Sequence, residues 1–87
     1  MTYNEALKIM QKCNISPHGY CIGKRTYPLA ETALCLDKKG GKFRYFAVER
    51  NVVVKERLYK TEDEASMAFL RDMARHFKSV KEYMEKR

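Results

Sequence analysis

Between Thr32 and Lys60 the chain reads TALCLDKKGGKFRYFAVERNVVVKERLYK. Three runs rich in Val, Leu, Phe and Tyr are separated by two short polar interruptions. Aromatic and β-branched side chains fit a pleated surface, and Gly40-Gly41 supplies the backbone freedom that a tight hairpin requires. Glu49-Arg50-Asn51 marks a second reversal. Strands joined by turns this short run antiparallel, so the stretch predicts a meander, and the remaining elements have to cover it.

Helix signals flank the meander. Thr2-Tyr3-Asn4-Glu5 and Thr61-Glu62-Asp63-Glu64 each place a hydroxyl at a helix start and a carboxylate three residues on. In that arrangement each side chain can bond a backbone N–H that the helix leaves unpaired. After the first, Ala6, Ile9, Met10 and Cys13 recur at helical spacing, predicting an amphipathic helix over residues 3–13. Asn14 and Ser16-Pro17 end it, because a residue before proline is pushed towards extended geometry. After the second, Ala65, Ala68, Phe69, Met73, His76 and Phe77 predict a helix to about residue 78. Ser79 is its expected break, before a last turn or frayed basic end, VKEYMEKR.

HGYCIGK, residues 18–24, reads as a short edge strand weakened by its glycines, and a loop follows around Pro28. The expected architecture is therefore α+β: a single domain spanning residues 1–87 in the order α-β-β-β-β-α, with two helices packed on one face of an antiparallel sheet. A chain of 87 residues has room for one modest core and little room for a deep cleft. The strand faces alternate poorly. Phe43, Tyr45 and Ala47 interleave with Arg44, Phe46 and Val48, while Val52, Val54 and Leu58 oppose Val53, Tyr59, Lys55 and Arg57. One resolution is a helix-covered face opposite a part-apolar, part-basic docking surface.

The formal charge of +7 favours an acidic partner: nucleic acid, membrane surface or acidic protein. Cys13, Cys21 and Cys35 are odd in number and form no C-x-x-C, which argues for free thiols in a reducing compartment. The first residues carry Glu5, lack a basic leader and show no small-residue cleavage site, and no apolar run approaches the ~20 residues of a membrane span. A cytoplasmic location is the expectation.

The chemistry-bearing residues are sparse. Cys13, His18, Cys21 and Cys35 match no common zinc-finger spacing, and Cys13 belongs to an apolar stripe, so no metal site is expected. No nucleophile turn surrounds any Ser or Cys, and His18 and His76 are the only histidines, so no enzyme activity and no cofactor are expected. KKGGK lacks the spacing of a phosphate loop and reads as a hairpin turn. The cations Lys38, Lys39, Lys42, Arg44, Arg50, Lys55, Arg57 and Lys60 cluster in the meander. With Tyr45 and Phe46 among them, such a sheet suits nucleic acid or an acidic protein surface. Arg71, Arg75, Lys78 and Lys81 form a stripe on the last helix, assigned to complementing its dipole.

The N-terminal NEALKIM helix, the hairpin LDKKGGKFRYFAVERN and the stretch ERLYKTEDEASMAFL together resemble the small immunity proteins of bacterial contact-dependent inhibition and related polymorphic toxin systems. That group's pattern has an aromatic strand ending in Glu-Arg-Gly. An aromatic residue two before a Ser/Thr cap then leads into an acidic, Ala-containing helix start. Phe43, Tyr45 and Phe46 occupy the strand here, Glu49-Arg50 the turn, Tyr59 the pre-cap position and Thr61 to Ala65 the helix start; Asn51 stands where the pattern favours Gly. The resemblance implies a non-enzymatic cytoplasmic inhibitor that binds the C-terminal toxic domain of a cognate effector and occludes its active site or substrate access. Since the chain is basic, the contact surface expected on the toxin is acidic. The meander's own composition, and not the family pattern, nominates Lys42, Arg44, Arg50, Lys55 and Arg57 as toxin-binding residues. The alternative from another class is a small basic nucleic-acid-binding module or regulator.

Overall fold

Both reversals in the meander are two-residue connections with left-handed backbone. Gly40 (φ 57°) and Gly41 (φ 80°) join β2 (Thr32–Lys39) to β3 (Lys42–Glu49), and Arg50 (φ 50°) with Asn51 (φ 66°) joins β3 to β4 (Val52–Tyr59). Positive φ at both central residues matches the right-handed twist of the flanking strands. Asn tolerates that region and Arg less so; Arg50 is tied down by its N–H to the Glu31 carbonyl (2.8 Å) and by its Nε to Glu31 Oε1 (2.9 Å). The computed structural model describes residues 1–23 and 30–86. The loop expected around Pro28 lies outside the described residues.

The predicted first helix is α1 (Tyr3–Lys12), and both halves of its capping box are made: Glu5 N–H donates to Thr2 Oγ1 and Thr2 N–H to Glu5 Oε1. The second cap is half as expected. Glu64 N–H donates to Thr61 Oγ1 (3.1 Å), but the Glu64 carboxylate accepts from the Thr61 hydroxyl (3.0 Å) rather than from its backbone. The other acids of α2 (Glu62–His76) hold the start of the chain. Glu62 Oε2 accepts from Tyr3 N–H at 2.8 Å, and Asp63 Oδ1 accepts from the Met1 ammonium at 2.6 Å. That bond to Asp63 raises the ammonium pKa.

The core forms where the apolar stripes meet. Ala6, Ile9 and Met10 of α1 and Ala65, Phe69, Leu70 and Met73 of α2 pack with Tyr20, Leu36 and Tyr45 of the sheet. Phe69 is wholly buried and meets the Tyr45 ring edge-on at 6.1 Å between centroids. Burying one such side chain contributes about 1.5–3 kcal/mol.

Two expectations about the fold need correction. The sheet is mixed rather than antiparallel, because β1 (Tyr20–Ile22) runs parallel to β2, in the register Tyr20 to Leu34 and Ile22 to Leu36; the order is β1-β2-β3-β4. A strand of 3 residues carries no periodicity from which its direction could be read. The last helix is broken at Phe77 rather than at Ser79. Phe77 has extended torsions, and a further helix, α3 (Lys78–Glu85), packs against α2 with Val80 fully buried. Val80 to Glu85 are therefore helical, neither a loose turn nor a fray. Ser79 stitches α3 to the end of α1: its hydroxyl donates to the Cys13 carbonyl at 3.3 Å, and the Cys13 thiol donates to the Ser79 carbonyl at 3.6 Å. Burial raises the pKa of that thiol. Among the described residues no helix is long and apolar enough to cross a membrane.

Candidate functional site

Strand pairing divides the nominated cations between faces. Leu36 pairs with Tyr45 and Tyr45 with Arg57, while Ala47 pairs with Lys55 and Phe43 with Tyr59. Arg57 and Lys55 therefore share the helix-covered face with core residues Leu36 and Tyr45. Arg44 pairs with Asp37 and Leu58 on the opposite face. Lys42 lies at the β2–β3 turn and Arg50 at the β3–β4 turn, roughly 25 Å apart by strand rise. The five nominated residues do not form one patch.

Arg44 is structural. Its Nε donates to Asp37 Oδ1 at 2.7 Å, its second guanidinium arm bonds Asp37 Oδ2, and Nη1 donates to Glu56 Oε2 at 3.3 Å. The guanidinium stacks over the Phe46 ring, 4.1 Å from its centroid. Bidentate pairing of this kind fixes geometry and neutralises charge, so the face expected to be a basic docking surface has its central cation compensated. Beside it Ala33, Cys35 and Val48 are buried.

The basic surface lies on the other side, where α2 leaves the β4 end of the sheet uncovered. A cleft of about 680 Å³ opens there between α2 and strands β2 to β4. Lys55 and Arg57 line it from β4, and Arg71, Arg75 and His76 from α2. Ala47 on β3 and Ala68 on α2, both small, leave it open, and Leu34 and Val54 add apolar wall. The acids present are Glu49 and Asp72. Asp72 is already engaged: Oδ2 accepts the Tyr45 hydroxyl at 2.6 Å, and Oδ1 lies 3.8 Å from Arg75 Nη1. Burial first, then the hydrogen bond to Asp72, raises the Tyr45 phenol pKa, so it remains a proton donor. Cations from two elements above an apolar floor suit a carboxylate or phosphate carried on an apolar stem.

The chain matches no family model, no curated protein and no solved structure. Its site is therefore read from geometry alone.

Arg71 and Arg75, whose position in the sequence suits the helix dipole, line the cleft. A signal for this was available: Ala68, Arg71, Asp72, Arg75 and His76 fall at intervals of three and four, a polar stripe next to the apolar one on the same helix. Among the described residues no three His, Cys, Asp or Glu side chains group as a metal site would require. Of the histidines, only His76 joins the cleft. Cys21 and Cys35 stand side by side in the β1–β2 register, and Cys13 lies at the α1–α3 contact.

The strand aromatics are occupied. Tyr45 is buried, Phe43 meets Tyr3 edge-on at 5.9 Å, Phe46 lies under Arg44, and Tyr59, half-buried at the margin of the cleft, packs against the core. Besides the charged Lys55, Glu56 and Arg57, what β4 exposes is aliphatic: Val52, Val53, Val54 and Leu58 are each 45–59% accessible.

Proposed function

We propose that this protein is a non-enzymatic immunity protein. In this reading it binds the C-terminal toxic domain of a cognate bacterial toxin in the cytoplasm and occludes the toxin's active site or its access to substrate. The observation that carries the reading is the company the cations keep: Lys55 and Arg57 project from a strand whose other exposed side chains are aliphatic, except for Glu56, which is paired with Lys39 and Arg44 on the opposite face. Nucleic-acid sheets bind by stacking bases on exposed aromatic rings, and here the strand rings are packed against neighbours. Protein interfaces combine desolvated apolar contacts with charges that steer encounter and fix register. A standard interface would cover about 800 Å² of each partner, a substantial part of this chain's 5879 Å².

The test is affinity capture with nuclease treatment at moderate salt, followed by identification of a stoichiometric partner and a growth assay in cells that express it. The proposal expects a toxic domain whose effect is abolished by co-expression of this chain. Nucleic acid that co-purifies only when nuclease is omitted, and leaves steeply as salt rises, would overturn it in favour of a nucleic-acid-binding module.

A further inference from the structure

A sheet edge is a row of unpaired backbone donors and acceptors, and proteins usually shorten it or cover it. This sheet has two very different edges. β1 has 3 residues, whereas β4 has 8, and every side chain from Val52 to Leu58 is exposed. The cationic cleft runs along the inner side of that open strand.

We infer that β4 accepts an extended acidic segment of the partner protein as an additional strand. Alternate carboxylates of that segment lie beside Lys55 and Arg57 and face Arg71 and Arg75 across the cleft. The inference deepens the immunity reading, on which it depends for the partner's identity but not for the chemistry of the segment.

Charge decides between the possible occupants. A second copy pairing antiparallel through β4 would keep cleft-facing side chains on the same side of the extended sheet. Near the strand centre, Lys55 would then oppose Arg57 of the other copy or, in a neighbouring register, either Lys55 or Arg57 would oppose its own counterpart. Like charges directly opposite one another destabilise a strand pair, so the edge is guarded against its own kind. The same two positions become attractive when the incoming strand carries Glu or Asp at alternate residues, because side chains at i and i+2 share a face. Arg71 and Arg75 add positive charge that the acids of the cleft offset only in part: Lys55, Arg57, Arg71 and Arg75 outnumber Glu49 and Asp72, the latter 3.8 Å from Arg75 Nη1.

The strand's two ends fit the same occupant. Register shifts between Ala47 and Val48, where Val48 pairs with Val53 and Ala47 with Lys55. This bulge leaves Val54 without a counterpart on β3 and places it at the cleft wall. A bulge of this kind bends the strand and limits indiscriminate pairing. The exposed valines offer apolar contact at one end of the segment and Leu58 at the other. Backbone pairing then supplies affinity, and the alternating pockets supply specificity.

The test uses the full chain and a peptide of alternating Glu and Val, matched to β4's 8 residues, with a Lys-Val peptide and inorganic phosphate as comparison probes. The readout is amide chemical shift and hydrogen exchange. The Glu-Val peptide is expected to shift and protect residues 52–59, and the Lys-Val peptide to leave them unchanged. The double substitution Arg71→Glu with Arg75→Glu is expected to weaken peptide binding about tenfold or more. Lys42→Glu, at the distant turn, serves as a control of equal charge type and is expected to leave binding unchanged. Equal binding of both peptides, shifts confined to the Arg44 and Phe46 face, or no shift would each overturn the inference. So would phosphate binding in the cleft without any change on β4, which would mark a site for free anions. A toxin captured and neutralised without protection of β4 would remove this inference and leave the immunity reading standing. Peptide binding as described, with no toxic partner, would do the reverse.

Discussion

Replacing Arg44 with Met separates a fold residue from a binding residue. The side chain is only 20% exposed, is bonded through two nitrogens to Asp37 and through a third to Glu56, and lies over the Phe46 ring. Met keeps most of the apolar stem and removes the charge. Asp37 and Glu56 have side chains 29% and 33% exposed, so water recovers part of what they lose, and the charge-assisted bonding falls at the low end of its range, about 1.5 kcal/mol. Stacking on Phe46 adds about 0.5 kcal/mol. The expected loss is therefore roughly 2 kcal/mol, a fall in Tm on the order of 10 °C for a domain this small. Urea unfolding at neutral pH measures it, and a double-mutant cycle with Asp37→Asn isolates the pair, with an expected coupling of at least about 1 kcal/mol. Partner affinity should be unchanged. A variant as stable as the parent that no longer binds its partner would refute the reasoning and return Arg44 to the contact surface.

Tyr45→Phe removes the hydroxyl that Asp72 accepts and leaves that carboxylate to water and Arg75; a loss of about 1.5 kcal/mol in urea unfolding is expected, with the near-ultraviolet signature of the ring packing retained. Arg50→Gly relieves a left-handed residue at a cost of about 1 kcal/mol and gives up an exposed ion pair with Glu31 worth at most about 0.5 kcal/mol, so thermal unfolding should show a small gain in stability. Stability should also fall in alkali. Burial, followed by the nearby Asp37 and Glu62, raises the Tyr3 phenol from 10.0 to about 12. The unfolded chain therefore loses this proton first; the stabilisation is whole below pH 10 and is lost as pH rises towards about 12. Tyr3→Phe should flatten that slope in pH-dependent unfolding, and an unchanged slope would show that Tyr3 does not carry it.

The elements with strong local chemistry were legible in the sequence. The Gly40-Gly41 turn, the caps at Thr2 and Thr61 and the apolar stripe through Ile9, Met10, Phe69 and Met73 each carry their own signal, and the strands, the two turns and both helix starts follow from them. What local chemistry does not encode was missed. The direction of β1 depends on how the chain returns to the sheet, and a strand of 3 residues does not record it. The Phe77 break interrupts a stripe that continues in phase through Val80, so periodicity alone passes over it. The site was half legible. Lys55 and Arg57 alternate along β4 and so read as cations on one strand face, but which face the helices cover is a property of packing. Arg44 looks no different from Arg57 in sequence, because its partner Asp37 lies across a hairpin at a separation set by register. Arg71 and Arg75 were visible as a stripe, and a dipole explanation was sufficient for them until the helix was placed against β4.

Hydrogen exchange across residues 52–59, measured for the free chain and for its complex with the captured toxic domain, tests the central claim most directly. Slowed exchange along β4, together with protection next to Arg71 and Arg75, is the predicted result. Unchanged exchange on β4, with protection confined to the Arg44 and Phe46 face, would contradict it and place the partner on the opposite side of the sheet.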